Sequence, residues 1–186
     1  MSNRLSYLVK ILVAGESFVG KTTLIQRYIA DEFIVGIRNT IGVDFFLKQI
    51  TEVQFEGLEE NDHLDLQIWD ISGESRFREI LPLYSAGTHG VILCFNDIPS
   101  FQKLEEWEDL LQKIIPPPVP RILLRTKADL DEEIPPRYEI DDFIEKYKCL
   151  GFYTTSAKDG TGVSSAFLSI AKEIYTQTIK TFGNKK

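Results

Sequence analysis

Apolar and polar positions along the chain switch repeatedly between a strand-like run and a helical period. Tyr7 to Ala14 is apolar and rich in β-formers, which predicts a buried strand. A helical stretch follows from Lys21 to about Ala30. Val43 to Phe55 and Leu64 to Trp69 read as two strands of a hairpin, joined by an acidic, turn-like and exposed connection over Gly57 to Asp62. Gly90 to Asn96 and Arg121 to Leu124 are further short buried strands. Phe101, Leu104, Trp107, Leu111 and Ile114 keep helical spacing and predict one helix packed on the sheet, stopped by Pro116, Pro117 and Pro118. Ile140, Phe143, Ile144 and Tyr147 mark another helix. Phe152 to Thr155 reads as a last strand, with Val163, Phe167, Ile170 and Ile174 in a closing helix. Such alternation predicts an α/β fold, a mostly parallel six-stranded sheet with helices on both faces. Ligands of such sheets bind beyond the carboxyl ends of the strands.

Length and composition narrow this picture. The 186 residues, 43% hydrophobic and 26% charged, suit one domain spanning 1–186. A net charge of −7 disfavours non-specific binding to nucleic acid or anionic membrane, which needs a basic face. It leaves room for one nucleotide, whose phosphates are met by local dipoles and a metal. Cys94 and Cys149 lack CxxC spacing and read as reduced thiols. No apolar run reaches the roughly 18 residues of a membrane span. Met1-Ser2 lacks the glycine of a myristoylation signal, and the tail Thr181-Phe182-Gly183-Asn184-Lys185-Lys186 offers no prenylatable cysteine. The expectation is a cytoplasmic, unlipidated monomer.

Gly15-Glu16-Ser17-Phe18-Val19-Gly20-Lys21-Thr22 fits G-x-x-x-x-G-K-[ST], placed after the first strand and opening the first helix. Gly15 and Gly20 permit backbone angles that aim successive N–H groups into one concavity, and the helix N-terminus adds positive dipole there. Lys21 would reach the β- and γ-phosphates, Thr22 would ligate Mg²⁺, and Ser17, Phe18, Val19 and Thr23 would line the cradle. The motif itself is silent on the base.

Base choice is carried by two loops. Thr126-Lys127-Ala128-Asp129 follows the fifth strand. A carboxylate at Asp129 accepts from both N1–H and the exocyclic amine of guanine, whereas adenine offers neither donor. The Lys127 stem can lie across the base. After the last strand, Ser156-Ala157-Lys158 can present a backbone N–H to guanine O6, with Gly160 and Gly162 closing the turn.

These motifs, in this order, resemble the Ras superfamily of small GTPases, and the Rab branch above all. The resemblance runs from the strand before Gly15 to the helix after Lys158. Thr40-Ile41-Gly42-Val43-Asp44-Phe45 is similar to the Rab stretch after the first-switch threonine. Leu66-Gln67-Ile68-Trp69-Asp70, then Ile71-Ser72-Gly73, resembles the family's strand and DxxG motif; Arg76-Phe77 and Tyr84 through Gly90 are also Rab-like. The resemblance implies a P-loop G-domain fold and slow, Mg²⁺-dependent hydrolysis of GTP to GDP. It makes the protein a switch that recruits effectors in its GTP form, in trafficking or signalling. It implies that Thr40 binds Mg²⁺ and senses the γ-phosphate, that Asp70 holds Mg²⁺ through water, and that the Gly73 N–H contacts the γ-phosphate. Phe33 would pack on the base. Phe45, Trp69 and Tyr84 resemble an exposed aromatic triad that meets effectors, exchange factors and activating proteins. Ordinary packing between sheet and second switch accounts for the same three residues, and both readings can hold.

Four departures stand out. Glu74 occupies the place of the glutamine that orients the attacking water, and an ionised carboxylate only accepts hydrogen bonds. An alternative therefore stays open, a GTP-binding interaction module with little turnover. Thr126 replaces an asparagine, which predicts a weaker tie between base loop and phosphate loop. Phe18 and Ile37 replace a small residue and a tyrosine. The missing terminal cysteine is the fourth. Asp129 disfavours an ATP-dependent kinase or ATPase on the same loop. His63 in the acidic turn and His89 before a strand read as surface or capping residues. The cluster Glu56, Glu59, Glu60, Asp62 and Asp65 lacks calcium-loop spacing. Glu105, Glu106, Glu108 and Asp109 read as the outer face of the Trp107 helix.

Overall fold

A computed structural model describes residues 6–34, 36, 39–51, 63–115 and 118–183, with side chains described up to Gln177. Ile37, the Gly57 to Asp62 connection with Phe55 and Glu56, Pro116, Pro117 and the last three residues lie outside the described residues.

The strands are β1 (Ser6–Ala14), β2 (Val43–Ile50), β3 (His63–Ile71), β4 (Gly90–Phe95), β5 (Arg121–Arg125) and β6 (Phe152–Thr154). They form one sheet in the order β2-β3-β1-β4-β5-β6. Only the β2–β3 pair is antiparallel. The helices are α1 (Lys21–Ala30), α2 (Leu81–Ser85), α3 (Ile98–Gln102), α4 (Leu104–Ile114), α5 (Arg137–Tyr147) and α6 (Val163–Gly183). One face of the sheet packs Val9, Ile11 and Val13 against Leu24, Ile25 and Tyr28 of α1 and Phe167 and Ile170 of α6. The other packs Leu12, Leu93 and Phe95 against Trp107 and Leu111 of α4 and Ile140 and Phe143 of α5. The six-stranded, two-faced α/β architecture is thus as the patterning predicts.

Several local expectations change. β1 is buried mainly from Val9 onward, and Leu8 is 56% exposed. β2 ends at Ile50, leaving Thr51 outside the strand. β3 begins at His63, so this histidine lies in a strand, with Nε2 3.3 Å from Asp65 Oδ2, and not in the acidic turn. The single helix expected over Phe101 to Ile114 is two. An Asp97 capping box starts α3, with Asp97 Oδ1 accepting from the Ser100 N–H at 2.9 Å. Lys103, a turn residue with right-handed helical backbone, separates α3 from α4. A 3₁₀ segment (Ser75–Ile80) and α2, which the periodicity does not reveal, follow β3.

Glu108 is the largest correction. It is fully buried, not outer, and both its oxygens accept from Arg121 Nε at 3.0 Å. It stands four residues after Leu104 and three before Leu111, on the helix's buried face.

His89 does serve as a cap. Its Nδ1 accepts from the Lys10 N–H at 3.0 Å, and its own N–H donates to the Lys10 carbonyl at 2.8 Å. Burial, with the Lys10 charge adding, pushes its pKa below the ordinary 6.5. The folded state thus favours neutral imidazole. Its contribution to stability is present above pH 6.5 and fades as pH falls through the lowered pKa. An NMR titration should show the His89 midpoint below 6.5; a midpoint above it would contradict the acceptor role of Nδ1.

Candidate nucleotide-binding site

The phosphate loop joins β1 to α1 at the carboxyl edge of the sheet. Gly15 has φ +143°, and a Cβ there would stand 2.2 Å from the Cys94 carbonyl oxygen, so only glycine lets β1 turn away this close to β4. Lys21, 7% exposed, folds back into the loop, its Nζ donating to the Gly15 and Glu16 carbonyls at 3.0 Å each. Burial lowers its pKa, and the Asp70 charge opposes that.

Beside the lysine three side-chain oxygens converge. The Thr22 and Thr40 hydroxyls lie 2.8 Å apart, and both donate to Asp70 Oδ2, Thr40 at 3.0 Å. Asp70 is fully buried near the end of β3, and its Oδ1 has no hydrogen-bond partner among the described residues. Burial raises its pKa, while the bond from Thr22 and the charge of Lys21 pull it back. An unpartnered buried carboxylate oxygen beside two hydroxyls fits a hard divalent cation that keeps waters and phosphate in its shell. Gly73 closes this end: a Cβ on it would stand 2.1 Å from the Ser17 nitrogen.

Two clefts meet over the loop. One of about 170 Å³ is lined by Ser17, Phe18, Gly20 to Thr23, Asn39, Thr40, Ser72, Gly73 and Lys127. A larger one of about 420 Å³ is lined by Gly20, Thr23, Phe33, Thr126, Lys127, Asp129, Ala157 and Lys158, with Leu24, Ile34, Gly36 and Leu130 completing the wall. Gly20, Thr23 and Lys127 belong to both, so the two clefts are continuous.

The Asp129 carboxylate is oriented in this cleft: Ser156 Oγ donates to Oδ1 at 2.8 Å, and Lys158 Nζ lies 3.9 Å from Oδ2. Lys127 reaches across to the phosphate loop, Nζ donating to the Phe18 carbonyl at 2.5 Å. Thr126 keeps the tie expected to weaken, its hydroxyl bonding the Val19 carbonyl and lying 3.2 Å from that of Phe95. A hydroxyl has one proton to give where an asparagine amide has two, so the tie is a single donor's. Phe18 has φ +66° and holds its ring 73% exposed, so its backbone, not its ring, belongs to the cradle.

Sequence reasoning missed Arg27. From α1 its Nε donates to the Ala157 carbonyl at 2.7 Å and Nη2 to that of Lys158 at 2.6 Å, pinning the second base loop. No local motif marks an arginine whose acceptors are 130 residues away.

Residues 10–176 match the family model described as "Ras family". The chain belongs to the Ras family. It is 34% identical over 176 residues to the Ras-related protein RIC1 of Oryza sativa subsp. japonica, covering 94% of this chain and 84% of that protein. It is 35% identical to the Ras-related protein RABD1 of Arabidopsis thaliana, covering 94% and 82%. With the GTP-binding protein ypt1 of Schizosaccharomyces pombe it shares 34% identity, covering 94% and 83%. It is a Rab-like small GTPase, a Mg²⁺-dependent switch that binds GTP and GDP and hydrolyses GTP. No helix among the described residues is long and apolar enough to cross a membrane.

Proposed function

We propose that one guanine nucleotide spans both clefts, base against Asp129 and phosphates over Lys21, with Thr22, Thr40 and Asp70 holding Mg²⁺. The convergence of those three residues, far apart in sequence, on Asp70 Oδ2 carries the reading. Gly15, Ser17, Phe18, Val19 and Gly20 supply backbone, Phe33 packs on the base, and Thr126, Lys127, Ser156, Ala157 and Lys158 shape the cleft. When bound, Mg²⁺ neutralises phosphate charge. Thr40 and Gly73 each reach toward the third phosphate, so its loss removes their shared partner and frees both switch segments. GDP labelled at the ribose should be displaced by GTP but not by ATP at comparable concentration. Displacement by ATP would refute the guanine reading.

Glu74 is proposed to act on the attacking water. Its Oε2 is 2.7 Å from Arg76 Nε, so its charge is partly offset before a triphosphate arrives. Intrinsic turnover in this class is slow, on the order of 10⁻⁴ to 10⁻² s⁻¹ without a partner's arginine. Glu74→Ala should lower the single-turnover rate about tenfold or more, and Glu74→Gln should differ from both. Identical rates in all three would remove Glu74 from catalysis.

Effectors and regulators are proposed to dock on Phe45, Trp69 and Tyr84. Phe45 is 47% exposed, while Trp69 and Tyr84 are half-buried, and the rings lie 5.4 Å and 5.9 Å apart in sequence order. Lys10 fixes the patch from beneath, its Nζ 4.0 Å from the Trp69 ring centroid and donating to the Tyr84 carbonyl at 2.5 Å. Packing and display thus coincide here. A cytoplasmic monomer is proposed as the working form, supported by two free buried thiols.

A further inference from the structure

Residues 73 to 78 carry Glu74 from the end of β3 into the 3₁₀ segment, and both ends of this stretch meet the same residue of the phosphate loop. At the first end, a Cβ on Gly73 would stand 2.3 Å from the Glu16 carbonyl carbon, so backbone rests directly on backbone. At the other, Arg78 Nη2 donates to Glu16 Oε1 at 2.6 Å. That oxygen also accepts from Trp107 Nε1 at 2.9 Å. Trp107 is fully buried in α4, so it fixes where the carboxylate can lie. The Arg78 guanidinium stacks over the Trp107 ring at 4.8 Å and gives its other arm to Glu106 Oε2 at 3.1 Å; Lys103 holds the second Glu106 oxygen at 2.6 Å. Among the described residues Arg78 Nε is buried with no partner, so Glu16, Glu106 and the indole face set the guanidinium's place.

We propose that Glu16 is a positioning residue for GTP hydrolysis, a clamp that holds both ends of the segment bearing Glu74 against the phosphate loop. An exposed ion pair alone contributes little. Here the pair is 28% and 22% exposed, the acceptor oxygen is set by a core indole, and the two anchors bracket the residue assigned to the attacking water. Fixing that short stretch at both ends narrows the positions open to Glu74. Displacement by about an ångström costs such reactions up to about a hundredfold. The inference rests on the family's GTPase activity and on the role proposed for Glu74.

The test compares single-turnover GTP hydrolysis and GDP dissociation in the wild type, Glu16→Gln, Arg78→Ala, Arg78→Lys and the Glu16→Gln/Arg78→Ala double variant. Glutamine keeps an acceptor for Trp107 while removing the charge. Hydrolysis is expected to fall about tenfold or more in Glu16→Gln and in Arg78→Ala. The double variant should fall no further, Arg78→Lys should recover part of the rate, and hydrolysis should slow by more than GDP dissociation quickens. Multiplying losses in the double variant, no recovery with lysine, or GDP dissociation accelerated as much as hydrolysis is slowed would each overturn the clamp. So would variants that hydrolyse GTP as fast as the wild type. A wild type that binds GTP without turnover would instead remove the hydrolytic reading, a separate failure.

Discussion

Asp129→Asn should lower GDP affinity by roughly 10⁴-fold, because a site built to receive two donors then presents a donor to one of them. In the wild type the carboxylate is already aligned by Ser156 and Lys158, so no reorganisation of the loop offsets the loss. The amide oxygen can still accept from guanine N1–H, but its NH₂ meets the guanine amine. Xanthosine diphosphate carries a carbonyl in place of that amine and should regain most of the lost affinity in the variant, while binding poorly to the wild type. Calorimetric titration of both nucleotides against both proteins measures the crossover. Equal losses for guanine and xanthine would mean that Asp129 shapes the loop without reading the base.

The second large effect is on stability. Glu108→Ala should destabilise the fold by about 3 to 5 kcal/mol, since it leaves the Arg121 guanidinium inside the protein without its carboxylate. Glu108 is 0% and Arg121 6% exposed, and among the described residues Arg121 Nη1 retains the Val119 carbonyl, at 2.7 Å. Burial pushes the Glu108 carboxyl up, and Arg121 pulls it back. Replacing both residues together, Glu108→Leu with Arg121→Met, removes the desolvated charges in one step and should recover most of the loss. Urea unfolding of the three proteins checks this. A single variant within about 1 kcal/mol of the wild type would mean that water reaches the pair.

Much of the site was legible because its residues are consecutive. The phosphate loop and the two base loops each occupy a handful of adjacent positions at a strand end, where spacing and local backbone preference determine what the side chains can do. The fold class was legible for the same reason, since a period of two or of 3.6 is a local property. Glu108 shows where such reading fails. Its spacing from Leu104 and Leu111 put it on the buried face, but charge type argued for solvent, and only the arrival of Arg121 from β5 decides between them. The two-part helix around Lys103 and the 3₁₀ segment escaped because neither interrupts the apolar pattern.

The sequence by itself determined the alternating α/β plan, and it supplied the glycine-flanked loop around Lys21 and the Asp129 carboxylate proposed to read guanine, since each is written in neighbouring residues whose chemistry needs no distant partner. Only the tertiary structure decided that Thr22, Thr40 and Asp70 share one oxygen, that Arg27 pins the loop after β6, and that Glu16 gathers Arg78 and Trp107 from 62 and 91 residues away. Those contacts depend on how the sheet orders its strands and on which helix face meets it. Hydrogen bonds of that reach leave no periodic trace in the chain.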